Sequence, residues 1–458
     1  MEKHHHHERS TFSGKLGFVL SAAGASVGLG NIWRFPYLAA KYGGGIFLLI
    51  YIILALTFGY SMIIAETALG RMTRKSPVGA FGKFGKSKWL SFGGWINAVI
   101  PILIVPYYSV IGGWVIKYLV EYVKGNSQKL AEDGYFSAFI SDGTSTEICF
   151  LVFALLTLAI IFAGVRNGVE RVSKFMMPIL VFLSVLIAIY SVTRPGALAG
   201  VKYFLVPNPA NFSWMTVVAA MGQMFYSLSI AMGILVTFGS YMKRDVSIED
   251  STTNVEIFDT AIAIMAGLMI IPAVFAFSGG DPDTLQAGPA LMFITIPKVF
   301  ANMGFGTPIG IFFFLLVLMA ALTSSIALTE SAVSTFQDEL RWPRKGATVI
   351  VGIIMVILGS LSSLGYGPLA FVKIIGMQFL DFFDFLTNSV MMPIAAFATC
   401  ILISRVIGVG KIEEEVEADG GSFKRKKVFR FMIRYLCPIF TVIILLSSVA
   451  NAFGWISM

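Results

Sequence analysis

The stretch AGASVGLGNIWRFPY, residues 23–37, decides how this chain folds. It lies in the first long apolar segment, where a membrane-spanning helix would normally continue without interruption. It nevertheless contains residues that disfavour a lipid-facing helix, namely Gly24, Gly28, Gly30, Asn31, Arg34 and Pro36. Because unpaired backbone and charge are costly in lipid, we expect this segment to face the protein interior and to serve a function there.

The composition indicates a polytopic membrane protein. Of the 458 residues, 56% are hydrophobic and only 13% are charged, and the mean hydropathy is +0.80. A soluble domain cannot bury so large an apolar fraction. The net charge of +8 comes from basic residues in short loops between apolar segments, a pattern typical of membrane topology. We therefore expect contact with a lipid bilayer and no nucleic-acid partner.

The residues that most often carry enzyme chemistry are scarce. The three cysteines, Cys149, Cys400 and Cys437, are far apart and predict neither a disulfide framework nor a metal site. All four histidines lie at residues 4–7, so the body of the chain contains none. These observations weigh against a hydrolase or a metal enzyme, and we expect that the protein is not an enzyme.

Apolar segments long enough to cross a bilayer predict about eleven spans. Their approximate limits are 14–40, 43–70, 89–123, 148–164, 168–192, 213–240, 256–278, 305–336, 346–364, 377–404 and 430–455. Strongly basic loops, such as 71–88, alternate with loops poorer in basic residues, such as 124–147 and 279–304. Because the basic side is cytoplasmic, we expect residues 1–13 to form a cytoplasmic segment and the C-terminus to lie outside.

A second polar interruption lies near the start of the sixth span. The stretch GQMFYSLSIAMG, residues 222–233, places Gln223, Ser227 and Ser229 in an otherwise apolar segment. The first helix of each five-helix half is thus interrupted, which is typical of inverted-repeat transporters. We expect an all-α fold with a first repeat at 14–192, a second at 213–404, and an extra C-terminal span within 428–458.

An unwound helix at mid-membrane creates binding groups. The carbonyl and amide groups that lose their helical partners would each cost several kcal/mol in hydrocarbon if they stayed unpaired. Free carbonyls suit a dehydrated Na⁺ ion, and amides at a helix N-terminus suit a carboxylate. Two such breaks can therefore hold a cation beside an anion similar to an amino acid.

Several segments resemble the neurotransmitter:sodium symporter family, and most closely its bacterial amino-acid transporters with the leucine-transporter-like fold. They are GNIWRFPY (30–37), KYGGGIFL (41–48), PYYSVIGGW (106–114), GQMFYSLS (222–229) and ALTSSIAL (321–328). The matches run in order from about residue 9 to residue 440. The resemblance implies a symporter in the bacterial inner membrane that couples Na⁺ to the import of α-amino acids by alternating access.

The resemblance also implies two sodium sites. The first would use Ser26, Asn31, Ser227 and Asp259, and the second the carbonyls of Gly24, Val27 and Ala320 with the hydroxyls of Thr323 and Ser324. All of these groups offer oxygen, which hard cations prefer. The alternative for the hydroxyls of residues 323–325 is that they bond back to carbonyls of their own helix.

Asp259 departs from the family pattern. Many members have asparagine at the matching position and bind a chloride nearby with tyrosine, glutamine and serine, which Tyr51, Gln223 and Ser227 match. A fixed carboxylate could replace that anion and balance the sodium charge. We therefore expect transport without a chloride requirement, with Asp259 either a sodium ligand or the replacement for the anion.

The resemblance places the substrate between the two breaks. The amides of Leu29 and Gly30 with the Tyr108 hydroxyl would hold the carboxylate, and carbonyls of Tyr226 and Ser229, with Ala25, would face the amine. The side chain would be enclosed by Ile104, Tyr226, Met232, Ser324 and Leu328. Because Gly28 replaces the aspartate of monoamine transporters, we expect an α-amino acid. Flexible Met232 predicts a tolerant pocket for hydrophobic or aromatic side chains, although it could also serve only for packing.

Charged pairs are implied as gates on either side of the substrate. Arg34 would face Asp384 through water as the outer gate, with Asp381 as the competing partner. Arg9 and Asp338 would form the inner latch, although Asp338 could also be a solvated helix end. Glu66 would connect the two broken helices through hydrogen bonds, or alternatively carry a proton.

The alternatives to a symporter are a channel, a membrane enzyme and a membrane sensor. A channel would need a polar stripe along several helices, and a membrane enzyme would need a catalytic pair facing a pocket; we find neither in the sequence. A non-transporting membrane sensor of the same fold, which binds an amino acid without moving it, remains the alternative. The sequence does not specify the oligomeric state.

Overall fold

The computed structural model describes residues 9–281, 285 and 288–456, and this part of the chain contains helices and no β-strand. Nine helices in it are long and apolar enough to cross a membrane. In chain order they are span 2 (Gly45–Thr73), span 3 (Lys88–Val123), span 4 (Gly143–Phe162), span 5 (Val165–Val192), span 7 (Ile248–Ser278), span 8 (Gly306–Leu340), span 9 (Arg344–Leu364), span 10 (Phe379–Ile407) and span 11 (Lys426–Ala452).

The two remaining predicted spans are both broken. Span 1 consists of Lys15–Ser26 and Gly30–Lys41, whose axes differ by 55°. Span 6 consists of Trp214–Ser227 and Ile234–Tyr241, separated by the non-helical residues 228–233. Each half is too short to cross a bilayer alone, so each pair makes one crossing. The described residues thus contain nine uninterrupted candidate spans and one bent pair that qualifies as a span. The pair Trp214–Ser227 and Ile234–Tyr241 lies where the sixth span was expected, so the structure agrees roughly with the prediction of about eleven crossings.

Predicted and observed boundaries differ where a polar turn caps a helix. Span 4 was expected from residue 148, but it begins at Gly143 because the Asp142 side chain accepts hydrogen bonds from the backbone N–H groups of Thr144 and Ser145. Span 7 was expected from residue 256, but it begins at Ile248, where Ser247 caps the helix. Capped first turns tolerate polar residues, and apolar length alone therefore misses them.

The break in span 6 has an unusual backbone. Ser229 and Ala231 have positive φ angles of 54° and 60°, and Gly233 has one of 70°. Non-glycine residues rarely adopt this left-handed conformation, which costs free energy that surrounding contacts must offset. Such strain is concentrated at functional sites, and here it lies in the segment that the sequence marked as interrupted.

The second helix of span 6, Ile234–Tyr241, which we call its lower half, packs closely on span 2. A Cβ atom at Gly239 would lie 2.3 Å from the backbone oxygen of Thr67, and one at Gly70 would overlap the backbone of Val236. Glycines at both positions let the two helix backbones approach, as is common in membrane helix pairs. The upper half of span 1, Gly30–Lys41, packs on span 7. Its lower half, Lys15–Ser26, packs on spans 5, 7 and 8. The two breaks therefore lie side by side in the centre of the bundle.

Candidate functional site

The two breaks enclose a cavity of about 30 Å³, which is room for two or three water molecules. Its walls come from spans 1, 3, 6 and 8. All ten residues predicted to contact substrate line it: Ala25, Leu29, Gly30, Ile104, Tyr108, Tyr226, Ser229, Met232, Ser324 and Leu328. Ile234, the first residue of the lower half of span 6, also lines the cavity and was not predicted, because it follows the polar interruption as an ordinary apolar residue.

The end of the cavity predicted to hold a carboxylate lies at the start of the helix Gly30–Lys41. The backbone N–H of Leu29 donates a hydrogen bond of 3.3 Å to Tyr108 Oη. A Cβ atom at Gly28 would lie 2.7 Å from Ser324 Oγ and 3.0 Å from Tyr108 Oη. Glycine at this position therefore keeps space between the break and two hydroxyl groups, at a helix terminus whose dipole favours an anion.

The cavity is also bordered by backbone carbonyl oxygens. Ala25 O accepts hydrogen bonds from Ser229 Oγ at 3.1 Å and from Ser324 Oγ at 3.0 Å. The backbone N–H of Ser229 donates to the Tyr226 carbonyl at 3.2 Å. These contacts connect the breaks of spans 1 and 6 with span 8 through Ala25, one of the residues predicted to face the amine.

Three residues of the first predicted sodium site form one hydrogen-bonded cluster. Asn31 Nδ2 donates to Asp259 Oδ1 at 2.9 Å, and Ser227 Oγ lies 2.9 Å from Asp259 Oδ2. The fourth, Ser26, has a buried hydroxyl without a hydrogen-bond partner in the described structure. A buried hydroxyl beside a cluster of oxygen donors is a suitable place for a cation.

The groups that match a chloride site surround the same carboxylate. Tyr51 interacts electrostatically with the Asp259 carboxylate. The Gln223 side chain donates to the Gly30 carbonyl at 3.2 Å. Asp259 therefore interacts with residues of both arrangements that the sequence left open, and its role stays a prediction.

The second predicted sodium site lies between spans 1 and 8. Ser324 Oγ lies 3.2 Å from the Gly24 carbonyl and 3.4 Å from that of Val27. Thr323 Oγ1 instead donates to carbonyls of its own helix, those of Met319 at 3.0 Å and Ala320 at 3.2 Å. Thr323 thus shows the intrahelical bonding that was the alternative reading, while Ser324 crosses to span 1.

On one side of the substrate cavity, a second cavity of about 310 Å³ contains the predicted outer gate. The Arg34 guanidinium lies 5.3 Å from the centre of the Tyr226 ring, which separates it from the substrate cavity. Arg34 interacts electrostatically with Asp384 without a direct hydrogen bond. Asp384 accepts hydrogen bonds from Tyr107 Oη at 3.2 Å and Asn388 Nδ2 at 2.6 Å.

Two features of this gate were missed or left open by the sequence. The competing partner Asp381 lines the same cavity but accepts a hydrogen bond from Tyr366 at 2.9 Å. Tyr107 was not predicted as a gate residue. The signal was available in the PYYS motif, because adjacent helical residues point about 100° apart, so that Tyr108 faces the substrate cavity and Tyr107 faces Asp384.

On the other side of the substrate cavity, the predicted inner latch is closed. Arg9 Nη1 lies 2.5 Å from Asp338 Oδ1, and the other guanidinium nitrogens donate to Ser240 and Ser334. Phe12 is buried in an aromatic cluster with Phe238 and Tyr241. These contacts join the N-terminal segment to spans 6 and 8 and close this side of the cavity.

Two buried acids support the arrangement. Glu66 Oε1 accepts a hydrogen bond of 2.8 Å from the backbone N–H of Ala231, inside the break of span 6. Glu330 was not singled out from the sequence; it binds Arg344 through both carboxylate oxygens and accepts a hydrogen bond from Tyr241. Its position inside an apolar span was the available signal.

A small cavity enclosed by two broken helices, with a closed latch on one side and a charged vestibule on the other, defines the class of secondary membrane transporters. The comparisons with known proteins agree. The family model described as "Sodium:neurotransmitter symporter family" matches residues 9–131 and 136–454. The chain therefore belongs to the sodium:neurotransmitter symporter family and is a sodium-dependent, multi-pass membrane transporter.

Individual relatives cover nearly the whole chain. It is 34% identical to the uncharacterized sodium-dependent transporter YhdH of Bacillus subtilis, over 96% of this chain and 97% of that protein. It is 27% identical to the sodium- and chloride-dependent GABA transporter 2 of Mus musculus, over 90% of this chain and 75% of that protein. The fold is also similar to the crystal structure of MhsT in complex with L-phenylalanine, with a TM-score of 0.84. The two sequences are 35% identical, and the match covers 96% of this chain and 100% of the MhsT chain.

These matches confirm three predictions from the sequence: the family, the all-α inverted-repeat fold, and a transporter rather than an enzyme. The fold class was deduced from the paired interruptions, and the family from the motifs around them. The assignment of individual residues to substrate, sodium or gates stays a prediction.

Proposed function

We propose that this protein couples inward movement of Na⁺ to the import of a hydrophobic or aromatic α-amino acid by alternating access. The observation that carries the proposal is the cavity between the two breaks, because it is lined by Ala25, whose carbonyl accepts hydrogen bonds, and by Tyr108 beside the start of the helix Gly30–Lys41. A zwitterion needs both kinds of group, since its amine binds acceptors and its carboxylate binds donors. MhsT, of similar sequence and fold, has been crystallised with L-phenylalanine.

The substrate class follows from small residues at the carboxylate end. Gly28 leaves room that any larger residue would fill, and a carboxylate on the substrate would use it. The remainder of the cavity is lined by Ile104, Met232 and Leu328, which offer apolar contact. Met232 can change its conformation easily, so the pocket would adapt to side chains of different shape.

The chain would carry Na⁺ at two places. One is the cluster of Asn31, Ser227 and Asp259 with Ser26, and the other is the contact of span 8 with the carbonyls of Gly24 and Val27. The donor sets fit the ion because they consist of oxygen atoms, and the first includes a carboxylate. For Thr323 and the Ala320 carbonyl to act as ligands, the Thr323 hydroxyl would have to exchange its bond within the helix for the ion.

Transport would not require chloride. The Asp259 carboxylate is a fixed part of the chain and interacts with Tyr51 and Ser227, two of the residues that match a chloride site. The carboxylate would balance the charge of a neighbouring sodium ion in a region where an unbalanced charge is costly.

The arrangement in the membrane follows from the charges. We place residues 1–13 and the inner latch in the cytoplasm, and the vestibule of Arg34 and Asp384 outside, because the basic loops lie on the latch side. The segments 14–192 and 213–404 would move as inverted repeats in the inner membrane of a bacterium. Arg9 and Asp338 would separate when the cavity opens to the cytoplasm.

Uptake into proteoliposomes tests the proposal. Radiolabelled phenylalanine should accumulate when an inward Na⁺ gradient is imposed, and it should not accumulate when K⁺ replaces the Na⁺. Accumulation should persist when gluconate replaces chloride on both sides. Sodium-dependent binding without accumulation would instead identify the sensor, and uptake that collapses in gluconate would reject chloride independence while leaving the symporter in place.

A further inference from the structure

A groove that no transport step uses opens on the lateral face of the helix bundle, beside spans 3 and 10. It has a volume of about 680 Å³. Its walls include Phe81, Phe84 and Phe92 on one side and Phe397, Ile401 and Val406 on the other. Because the walls belong to membrane spans and to the short helix Pro77–Gly82 beside them, the occupant must be a molecule of the membrane. We call this the lipid-facing groove.

The groove has a closed end and a floor, which distinguish it from the general surface of the bundle. Spans 3 and 10 touch where a Cβ atom at Gly93 would lie 3.2 Å from Ala398 Cβ. Beyond this contact they separate, and the Phe81 ring fills the space beneath, with only 1% of the residue exposed. Phe81 and the equally buried Leu402 therefore form a fixed floor for an apolar chain.

The open end of the groove carries positive charge. Lys86 lines it, and Lys88 and Arg405 lie next to lining residues in the sequence. All three residues are exposed, and none lies within ion-pair distance of a carboxylate in the part of the chain that the structure describes. Lys83, which precedes the lining residue Phe84, instead donates a hydrogen bond of 3.0 Å to the Met72 carbonyl. The sequence has no acidic residue between Glu66 and Glu121, or between Asp384 and Glu413.

Aromatic residues mark the depth at which the charges lie. Trp89 is 82% exposed and Trp95 is 45% exposed. Tryptophan is enriched where the polar headgroups meet the hydrocarbon. Trp89 directly follows Lys88, so the lysines lie at headgroup level and the apolar walls extend below them into the hydrocarbon.

We propose that the lipid-facing groove is a binding site for one anionic diacyl phospholipid, with an acyl chain on the Phe81 floor and its phosphate beside Lys86 and Lys88. Basic pockets between spans at the cytoplasmic side suit anionic headgroups. A zwitterionic phospholipid has the same acyl chains, so the excess of cations is what selects the anionic headgroup. Only the name of the leaflet rests on the orientation proposed above; the site itself does not depend on the transport function.

Native mass spectrometry of the purified, delipidated full chain tests this proposal. The probes are dioleoyl phosphatidylglycerol and dioleoyl phosphatidylcholine, which share acyl chains and differ in headgroup charge. We expect one phosphatidylglycerol to remain bound at concentrations at which phosphatidylcholine does not. The double variant Lys86→Gln/Lys88→Gln should weaken phosphatidylglycerol binding roughly 25-fold, since each basic residue near an anionic headgroup contributes roughly a factor of five.

Two further variants separate the charge from the groove. Ile401→Trp should exclude the acyl chain and abolish tight binding while all cations remain, whereas Leu155→Trp, on the exposed face of span 4, should not. Lys411→Gln/Lys427→Gln removes two exposed charges elsewhere and should leave binding within twofold. Equal retention of both lipids by the unmodified chain, an equal loss in the Lys411/Lys427 control, or a dimer that Ile401→Trp dissociates would overturn the proposal.

Discussion

Asn31 and Asp259 are joined by a 2.9 Å hydrogen bond from Nδ2 to Oδ1, and both side chains are fully buried. The bond connects the break of span 1 to the middle of span 7. The neighbours that interact with the carboxylate are Asn31, Ser227 and Tyr51, and no lysine or arginine of the described chain is among them. A buried carboxylate without a basic partner is costly in a membrane, so a bound cation is the natural compensation.

The first prediction concerns the charge of Asp259. Asp259→Asn keeps the size of the side chain and removes the negative charge that balances sodium. We expect phenylalanine uptake in gluconate medium to fall at least about tenfold, because the cation loses its compensating charge. Chloride should restore part of the uptake, since Tyr51, Gln223 and Ser227 remain. Uptake in both media gives the measurement.

Asp245→Asn, in the connection between spans 6 and 7, is the control for this change and should behave like the unmodified protein. Wild-type levels of uptake by Asp259→Asn in gluconate would contradict the assigned role. Loss of uptake in both media without rescue by chloride would support Asp259 as a sodium ligand rather than as a replacement for the anion.

The second prediction concerns the space kept by Gly28. In Gly28→Ala the new methyl group would lie 2.7 Å from Ser324 Oγ and 3.0 Å from Tyr108 Oη, so at least one hydroxyl must move. We expect the affinity for phenylalanine to fall at least about tenfold, equivalent to 1.4 kcal/mol, because Tyr108 would no longer be placed for the carboxylate. Equilibrium binding in Na⁺ measures this.

Gly14→Ala is the matched control, because a Cβ atom at Gly14 would meet nothing within 4 Å. Its affinity should equal that of the unmodified chain. If Gly28→Ala binds phenylalanine as tightly as Gly14→Ala does, the carboxylate is not held at this end of the cavity.

The third prediction separates the two roles considered for Glu66. Its carboxylate accepts a hydrogen bond from the Ala231 N–H, in a segment with strained backbone. Glu66→Gln retains an acceptor oxygen, whereas Glu66→Ala leaves the N–H unpaired at a cost of about 1–3 kcal/mol. We expect the glutamine variant to keep most of the uptake and the alanine variant to lose both thermal stability and uptake.

The dependence of uptake on pH provides the second readout for Glu66. If Glu66 only positions the break, the pH profile of Glu66→Gln should overlay that of the unmodified protein. A profile that becomes flat in the glutamine variant would show that Glu66 carries a proton.

The sequence was informative where composition departs from what lipid allows. Glycines and hydroxyl groups in two apolar segments predicted both breaks, and the residues around them line one cavity. The motif PYYS indicates that Tyr107 and Tyr108 point about 100° apart, but the cavity that each one faces depends on how span 3 is rotated against its neighbours. Similarly, only the packed structure shows that Ser324 reaches span 1 while Thr323 bonds within span 8.

The groups that were missed share a physical reason. Glu330 and Arg344 are distant from the interrupted segments and meet only when spans 8 and 9 pack together. An embedded acid indicates a functional or structural role, but its partner lies in another span and is not given by local spacing. The starts of spans 4 and 7 were placed too late because their first turns are polar and capped.

The last prediction concerns the inner latch. Arg9 lies 2.5 Å from Asp338, and their side chains are only 17% and 18% exposed, so loss of either partner leaves the other poorly solvated. By contrast, Lys15 and Asp250 lie 3.9 Å apart with side chains 46% and 50% exposed, and such surface pairs contribute little. We expect Arg9→Ala to shift the protein toward the conformation open to the cytoplasm by about tenfold, whereas Lys15→Ala should not.

Alkylation of a buried reporter measures this opening. The reporter is introduced by Thr237→Cys in the lower half of span 6, because Thr237 is fully buried when the latch is closed. Cys149, the one native cysteine that is partly exposed, is replaced by serine. The labelling rate should rise about tenfold in Arg9→Ala and equally in Asp338→Ala. It should rise little further in the double variant, because both changes break the same contact. Additive increases would mean that the two residues act separately, and an unchanged rate in Arg9→Ala would mean that other contacts, such as the cluster around Phe12, hold this side closed.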